Sequence, residues 1–437
     1  MMPKINYSKW LIIIFFLSFT FRTLFMLVPQ FNYFHKVTPV NYNALEQKSD
    51  DRTYTRLAYG VLKFGFPAKN DKFSMYAGFL YPYVVAANLA FSNNLIYLFF
   101  FQIILDSLTA VLIAVIALKL VNKVNVSVLA GLLYALYYPN YIFPPRILTE
   151  VFFTFLIVLS IYFLQKGLQG KSVKEYFIFG GLLSVAALTK SMIFYVFFFI
   201  YLFLIYKAFI RKEVTRYVMF IILLFFAIQS PYYIISYINT NKLIVGSSNG
   251  WYMILTGTYL PLKGDEPKDP EYEIFTDHPV GKVYKLELEQ GWNEFQMDSA
   301  FTALGKKQVA DNFRNHPIKS LEVMLLQVSR FWFHMPYFIR PIPGTGTVVA
   351  AIYKFVLTIF MLAGLYIMVY KRKDRLSQIC LFLLLVYTSL HSLVYSSLRY
   401  SAPLVPLLII FASIGIISFY KSFVNTDNES LQSNIPE

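Results

Sequence analysis

The sequence predicts an all-α polytopic membrane protein, and three observations carry that fold class. Of 437 residues, 57% are hydrophobic and only 14% charged, whereas an ordinary soluble domain has roughly a quarter of its residues charged. Apolar runs of about 20 residues recur, each long enough to cross a hydrocarbon core about 30 Å thick at 1.5 Å per residue. Basic residues punctuate those runs instead of clustering on one face, so the net charge of +15 speaks for membrane topology and against a nucleic-acid partner.

Hydropathy places about ten spans, at 10–28, 95–118, 125–142, 147–165, 175–189, 191–209, 217–237, 348–370, 377–395 and 401–420. The first follows Lys4 and Lys9 as a signal peptide would. It is long, however, and runs into Val28-Pro29-Gln30 instead of a small-residue cleavage site, so it is read as retained. Tyr81–Phe91 is apolar but too short to cross and fits a re-entrant or interfacial helix. The single cysteine, Cys380, lies inside an apolar run, which excludes an intramolecular disulfide, a thiolate metal cluster or a cysteine redox pair.

Lysine and arginine set the expected orientation. With the N-terminus inside, the inner loops carry thirteen basic residues (Lys119, Lys123, Lys166, Lys171, Lys174, Lys207, Arg211, Lys212, Arg216, Lys371, Arg372, Lys373 and Arg375), against three in the short outer loops (Arg146, Lys190 and Arg399). Both termini are therefore expected in the cytoplasm. The chain then divides into an N-terminal transmembrane module, 1–237, whose first outer loop covers about 29–94, and an extracytoplasmic, mainly helical subdomain, 238–347. C-terminal transmembrane helices follow over 348–421, with a disordered cytoplasmic tail over 422–437. In the subdomain, "EFQMDSAFTALGKKQVADNF" sets Phe295, Ala300, Leu304, Val309 and Phe313 at helical spacing. Water-facing segments of that length are usually functional.

Polar residues collect at the outer ends of the spans: Asp50 and Asp51 in the first loop, Arg146 and Glu150 at the fourth span, Lys190 between the fifth and sixth, and Arg399 before the tenth. Ionisable groups at a span edge are costly unless they face a polar cavity or one another, so such a ring marks a candidate site. Arginine through its fork and lysine as a point charge suit a lipid-linked phosphate. A nearby carboxylate suits proton removal from an acceptor hydroxyl or amine. Each residue also has a structural reading. The arginines could snorkel to headgroups, Glu150 could be the i,i+4 partner of Arg146, Lys190 could end a helix, and Asp50 could cap the helix-like "DRTYTRLAYGVL".

Arg22 and Asp106 lie within spans, where they could pair with each other or line a cavity. His278, His316, His334 and His391 show no zinc-ligand spacing, and "GWYMILTGTYLP" has no phosphate-cradling glycine motif. Any energy for reaction would come from an activated donor. A divalent metal is left open and no other cofactor is expected.

The segment "SDDRTYTRLAYGVLKFGFP" resembles the first outer-loop motif of the GT-C glycosyltransferases, in the group of protein O-mannosyltransferases and lipid A aminoarabinose transferases. The matches are Asp50, Asp51, Tyr54 and Ala58, and the resemblance implies that Asp50 is the catalytic base. "YYPNYIFPPRILTEVFFTFLIVLSIYFL" is similar to a second family segment through Arg146, Thr149 and Glu150, and "GGLLSVAALTKSMIFY" to a third through Thr189 and Lys190. "SPYYIISYINTNKLIVGSSNGWYMILTG" resembles a fourth, and "LRYSAPLVPLLIIFA" matches a fifth through Arg399, Tyr400, Pro403 and Pro406.

The resemblance implies a GT-C-like bundle that moves a sugar from a polyprenyl-phosphate donor, with inversion, to a lipid, glycan or protein acceptor. Asp51 would assist Asp50; Arg146, Lys190 and Arg399 would hold the donor phosphate; and Tyr54, Tyr81, Glu150 and Tyr400 would position substrate. Two segments depart from the family pattern. "MYAGFLYPY" keeps Tyr81-Pro82 but has Ala77, Gly78 and Phe79 where a cation and prolines are common, leaving Lys69 or Lys72 to substitute. Ile235-Ser236 also stands where relatives often have Arg-Asn. The competing class is a lipid-linked sugar flippase or transporter, which often shows an inverted repeat; none is visible here. A structural subunit of an envelope assembly would explain the long outer segment but not the charged ring.

Overall fold

The computed structural model describes residues 7–27, 50–69, 72–92, 94–170, 173–211, 215–241, 243–244, 246–260, 279–333 and 345–432. Helix α1 (Tyr7–Met26) is followed by α2 (Asp50–Phe64), a two-stranded antiparallel ladder of β1 (Ala68–Lys69) and β2 (Lys72–Phe73), and α3 (Leu80–Phe91). Six helices come next: α4 (Ile96–Val121), α5 (Val124–Ala135), α6 (Glu150–Gly170), α7 (Val173–Thr189), α8 (Met192–Arg211) and α9 (Thr215–Thr240). The stretch expected to form an outer subdomain holds α10 (Gly250–Gly257), α11 (Pro279–Gln290), α12 (Glu294–Asn315) and α13 (Pro317–Phe333). The chain closes with α14 (Thr345–Leu365), a π-helical turn at Tyr366–Lys371, α15 (Arg375–His391), α16 (Leu398–Ser401) and α17 (Val405–Gln432).

Among the described residues, six helices are apolar and long enough to cross a bilayer: α1, α4, α6, Phe220–Thr240 of α9, Ile352–Lys371, and Leu398–Ser422. The protein is thus an all-α polytopic integral membrane protein. Several of the ten expected spans are shorter helices. The span expected over 125–142 is reduced to the 12 residues of α5, about 18 Å at the helical rise. The cause is local: Pro139, Pro144 and Pro145 lack the N–H that a continuing helix needs, so 136–149 folds as a compact irregular segment.

The bundle closes most tightly where α14 meets α17. A Cβ built on Gly364 would lie 2.0 Å from the Phe411 carbonyl oxygen, and one on Gly415 would lie 2.1 Å from that of Phe360. Backbone packs on backbone there, and only glycine leaves the space. Between α1 and α4 the charged pair Arg22–Asp106 is formed and wholly buried. Tyr134 donates to the other Asp106 oxygen at 2.6 Å, and Arg22 also reaches the Ala135 carbonyl at 3.1 Å. Every charge of the pair is therefore matched inside the bundle.

The helix expected over "EFQMDSAFTALGKKQVADNF" forms as α12. Met297 and Phe301 are its most buried side chains, Ala300 and Leu304 pack beside them against Tyr252, Leu255, Val280 and Val283 of α10 and α11, Gly305 lies against Trp251, and Phe313 is 39% exposed. Helix α17 runs to Gln432, and no Gly or Pro interrupts it between Gly415 and Pro436. Residues 28–49 of the first loop, "PLKGDEPKDPEYE", His278 and His334 lie outside the described residues.

Candidate active site

The site is assembled from helix ends. Asp50 and Asp51 open α2, where carboxylates meet the positive end of the helix dipole. Glu150 opens α6, immediately after the proline-rich irregular segment. Lys190 occupies the break between α7 and α8, and Arg399 lies in the four-residue α16, set off by Pro403 and Pro406 from the long α17.

These ends converge. Arg399 donates through Nη1 to Asp50 Oδ2 at 2.5 Å and through Nε to Glu150 Oε1 at 2.6 Å. Lys190 Nζ lies 3.4 Å from the same Glu150 oxygen and 5.0 Å from the centre of the Tyr400 ring. Glu150 is fully buried and its second oxygen has no hydrogen-bond partner among the described residues. Asp50 differs from the other three, because its carboxylate is 44% exposed. Two cations and two carboxylates thus balance in charge, with the exposed acid at the rim and the buried acid beneath.

Asp51 and Arg146 form a separate pair. Arg146 Nη2 lies 2.7 Å from Asp51 Oδ2, the Ile147 N–H donates to Asp51 Oδ1 at 2.7 Å, and both side chains are buried. Adjacent positions on α2 point about 100° apart, which sends Asp50 into the cluster and Asp51 into the protein. Arg146, foreseen with Lys190 and Arg399 as a phosphate cation, is instead committed to Asp51. It does not pair with Glu150 one turn along the sequence, since Glu150 faces Arg399 and Lys190.

The aromatic residues stand behind the acids. Tyr54 meets Tyr81 edge to face at 5.0 Å. Tyr81 donates to Gln102 Oε1 at 2.9 Å, and Gln102 in turn holds the Pro144 and Arg146 carbonyls at 2.9 and 2.8 Å. Burial, reinforced by the Asp50 and Glu150 carboxylates, pushes the Tyr54 phenol well above its ordinary pKa, so it remains a neutral donor.

The outer helices brace the segment that carries Arg399. Gln327 of α13 accepts from the Ser396 N–H at 3.0 Å and donates to the Gly257 carbonyl at 3.1 Å, while the Tyr395 N–H reaches Met253 of α10 at 3.0 Å. Glu294 of α12 ties Ser74 and the Met75 N–H of the first loop at 2.6 and 2.8 Å.

The departure at Gly78 has a structural reason. A Cβ there would lie 1.9 Å from the Thr189 carbonyl, so the loop backbone rests directly on the residue before Lys190. Lys69 and Lys72 are exposed on the β ladder and do not join the cluster. Among the described residues no group of three His, Cys, Asp or Glu side chains is placed to hold a metal. One residue went unnoticed in the sequence: Lys354, in the apolar run 348–370, is 1% exposed and donates to Ser401 Oγ at 2.7 Å. A lysine within an apolar span was the available signal.

Residues 54–234, less than half of the chain, match the family model of the dolichyl-phosphate-mannose-protein mannosyltransferases. The match supports a GT-C glycosyltransferase. Tyr54, Tyr81, Arg146, Glu150 and Lys190 of this membrane glycosyltransferase fall within the matched stretch, and Asp50, Asp51, Arg399 and Tyr400 lie outside it. Among solved structures the chain is remotely similar to ArnT from Cupriavidus metallidurans in the apo state, at 11% identity and a TM-score of 0.35, over 84% of this chain and 72% of that one. It is similarly remote from the same protein bound to undecaprenyl phosphate, at 11% identity and a TM-score of 0.36, over 89% and 77%. No match was found among curated proteins.

Proposed function

We propose that this membrane glycosyltransferase takes its sugar from a polyprenyl-phosphate donor and passes it, with inversion, to a lipid, glycan or protein acceptor. The reaction is placed on the extracytoplasmic face of the plasma (inner) membrane, with both chain termini in the cytoplasm. The observation that carries the reading is the meeting of Asp50, Glu150, Lys190 and Arg399 at one cluster of helix ends. An exposed carboxylate beside two cations held on a buried carboxylate suits attack at one end of a sugar and departure of an anion at the other.

In the proposed step the acceptor oxygen or nitrogen forms a bond to the anomeric carbon while the carbon–oxygen bond to phosphate breaks. The bonding pair leaves with the polyprenyl phosphate, and the acceptor proton passes to Asp50. Arg399 and Lys190 meet the charge that develops on the leaving phosphate, and Glu150 keeps both cations aimed. Asp51 and Arg146 act one layer back, fixing α2 against the irregular segment so that Asp50 stands at the rim. Tyr54 and Tyr81 back the carboxylates from behind, and the Tyr400 ring lies against the Lys190 ammonium, so these rings position the charged groups that meet substrate. The step needs no nucleotide or other cofactor, because a polyprenyl phosphate is already a good leaving group; a divalent metal could assist.

The test supplies purified protein with a panel of polyprenyl-phosphate sugars and follows polyprenyl phosphate release together with sugar transfer by mass spectrometry. Movement of the lipid across a vesicle bilayer with its sugar intact and no release of polyprenyl phosphate would replace this reading by the flippase alternative, and release with the sugar passing only to water would replace it by hydrolysis.

A further inference from the structure

The irregular segment 392–397 joins α15 to α16 and delivers Arg399 at the second position of α16. It rests on α10. The Tyr395 N–H donates to the Met253 carbonyl at 3.0 Å, and a Cβ on Gly257 would lie 2.2 Å from the Val394 carbonyl carbon. Helix α10 is itself held from α12, where Gln308 Nε2 donates to the Leu255 carbonyl at 2.8 Å and Asn312 Nδ2 to the Thr258 carbonyl at 2.7 Å. Just ahead of α10, Ser247 Oγ lies 3.2 Å from Ser191 Oγ, next to Lys190. Helix α10 therefore reaches from the residue after Lys190 to the segment before Arg399.

One side chain closes the Arg399 end of this strut. Gln327 is wholly buried on the inner face of α13, in line with Val323 and Phe331. Its Oε1 accepts from the Ser396 N–H at 3.0 Å, and its Nε2 donates to the Gly257 carbonyl at 3.1 Å. Both partners are backbone groups that secondary structure leaves over, one in an irregular segment and one among the last carbonyls of a helix. A buried amide matched at both ends holds two backbones at hydrogen-bond tolerance, which an apolar contact does not. From Ser396 to Arg399 the chain spans at most about 10 Å, so displacement of the Ser396 N–H carries to the guanidinium. A misplacement of about 1 Å in a catalytic constellation can cost about 10²-fold in rate.

We propose that Gln327 is a positioning residue for glycosyl transfer: by latching α10 to the Ser396 backbone it fixes the Arg399 fork relative to Lys190, without touching substrate. The inference rests on the role given to Arg399 in the proposed reaction.

The test uses full-length protein in detergent as wild type, Q327L, the unbranched Q327M, R399K and the double variant Q327L/R399K. Hydrogen–deuterium exchange read by mass spectrometry needs no substrate. Amides over 393–398 are expected to exchange about tenfold faster in Q327L and Q327M, with peptides from α17 unchanged. Equal acceleration in α17, or none over 393–398, overturns the latch. With a polyprenyl-phosphate sugar that the wild type turns over, kcat per folded molecule should fall about 10–100-fold in both single variants at Gln327. KM should stay within about twofold, and a raised KM at wild-type kcat overturns the positioning role. Thermal unfolding and elution volume give the folded fraction, and Q327M stands in where leucine does not fit. Adding Q327L to R399K should cost less than about threefold, because the fork is already gone. The same fold loss in both backgrounds marks a general structural role and overturns the inference. R399K turning over as wild type does sinks the reading of Arg399 and this inference with it. A slow R399K beside wild-type kcat in Q327L sinks this inference alone and leaves the proposed reaction standing.

Discussion

Arg399 Nη1 lies 2.5 Å from Asp50 Oδ2, joining residues 349 positions apart. The same guanidinium reaches Glu150 through Nε at 2.6 Å, so one side chain sets the separation of the rim carboxylate from the buried one. A planar fork does this and a flexible ammonium does not.

Asp50→Asn keeps the shape and an acceptor oxygen but cannot take a proton. Loss of general-base catalysis should lower kcat about 10²–10⁴-fold, with little change in melting temperature because the carboxylate is partly exposed. Sugar transfer measured beside thermal unfolding checks both halves, and wild-type turnover in D50N would sink the base assignment.

Arg399→Lys retains the charge but cannot hold Asp50 and Glu150 together. Removing a preorganised donor to a developing anion should cost roughly 10²–10³ in kcat. A change confined to KM in steady-state kinetics would instead mark Arg399 as a ground-state binder.

Asp51→Asn leaves Arg146 buried with a neutral partner. Breaking a buried pair from one side typically costs about 3–5 kcal/mol, so D51N should melt earlier and lose activity in proportion to the folded fraction. A large fall in kcat with the melting temperature unchanged would give Asp51 a direct part in the chemistry.

Gly415→Ala places a methyl group on the Phe360 carbonyl. Overpacking of this kind costs about 1–3 kcal/mol, and the expected outcome is a lower melting temperature in detergent, with the same result for Gly364→Ala.

Orientation can be read with cysteine chemistry, since Cys380 is the sole native cysteine and is buried. In intact cells a membrane-impermeant maleimide should label Lys307→Cys on α12 and should reach Arg372→Cys only after permeabilisation. The reverse pattern would invert the proposed topology.

The amino-acid sequence by itself determined the class of molecule, because apolar length and the scarcity of charge leave a chain no choice of solvent. It also marked Asp50, Glu150, Lys190 and Arg399 as anomalies, since ionisable groups at span edges stand out against an apolar background. Tertiary structure alone decided how they pair. Arg146 and Glu150 are one helical turn apart in the sequence, yet proline keeps Arg146 out of α6, and each found its partner elsewhere: Asp51 for one, Arg399 and Lys190 for the other. The division between a rim Asp50 and a buried Asp51 follows from the rotation of α2 against its neighbours, which no local periodicity encodes. Lys354 was visible only as an oddity in an apolar run. That it faces Ser401 and shares a cleft with Tyr137 and Arg399 depends on how tightly α14 and α17 close through Gly364 and Gly415. Pairings across such sequence distances are set by packing of whole helices, and packing is a property of the bundle.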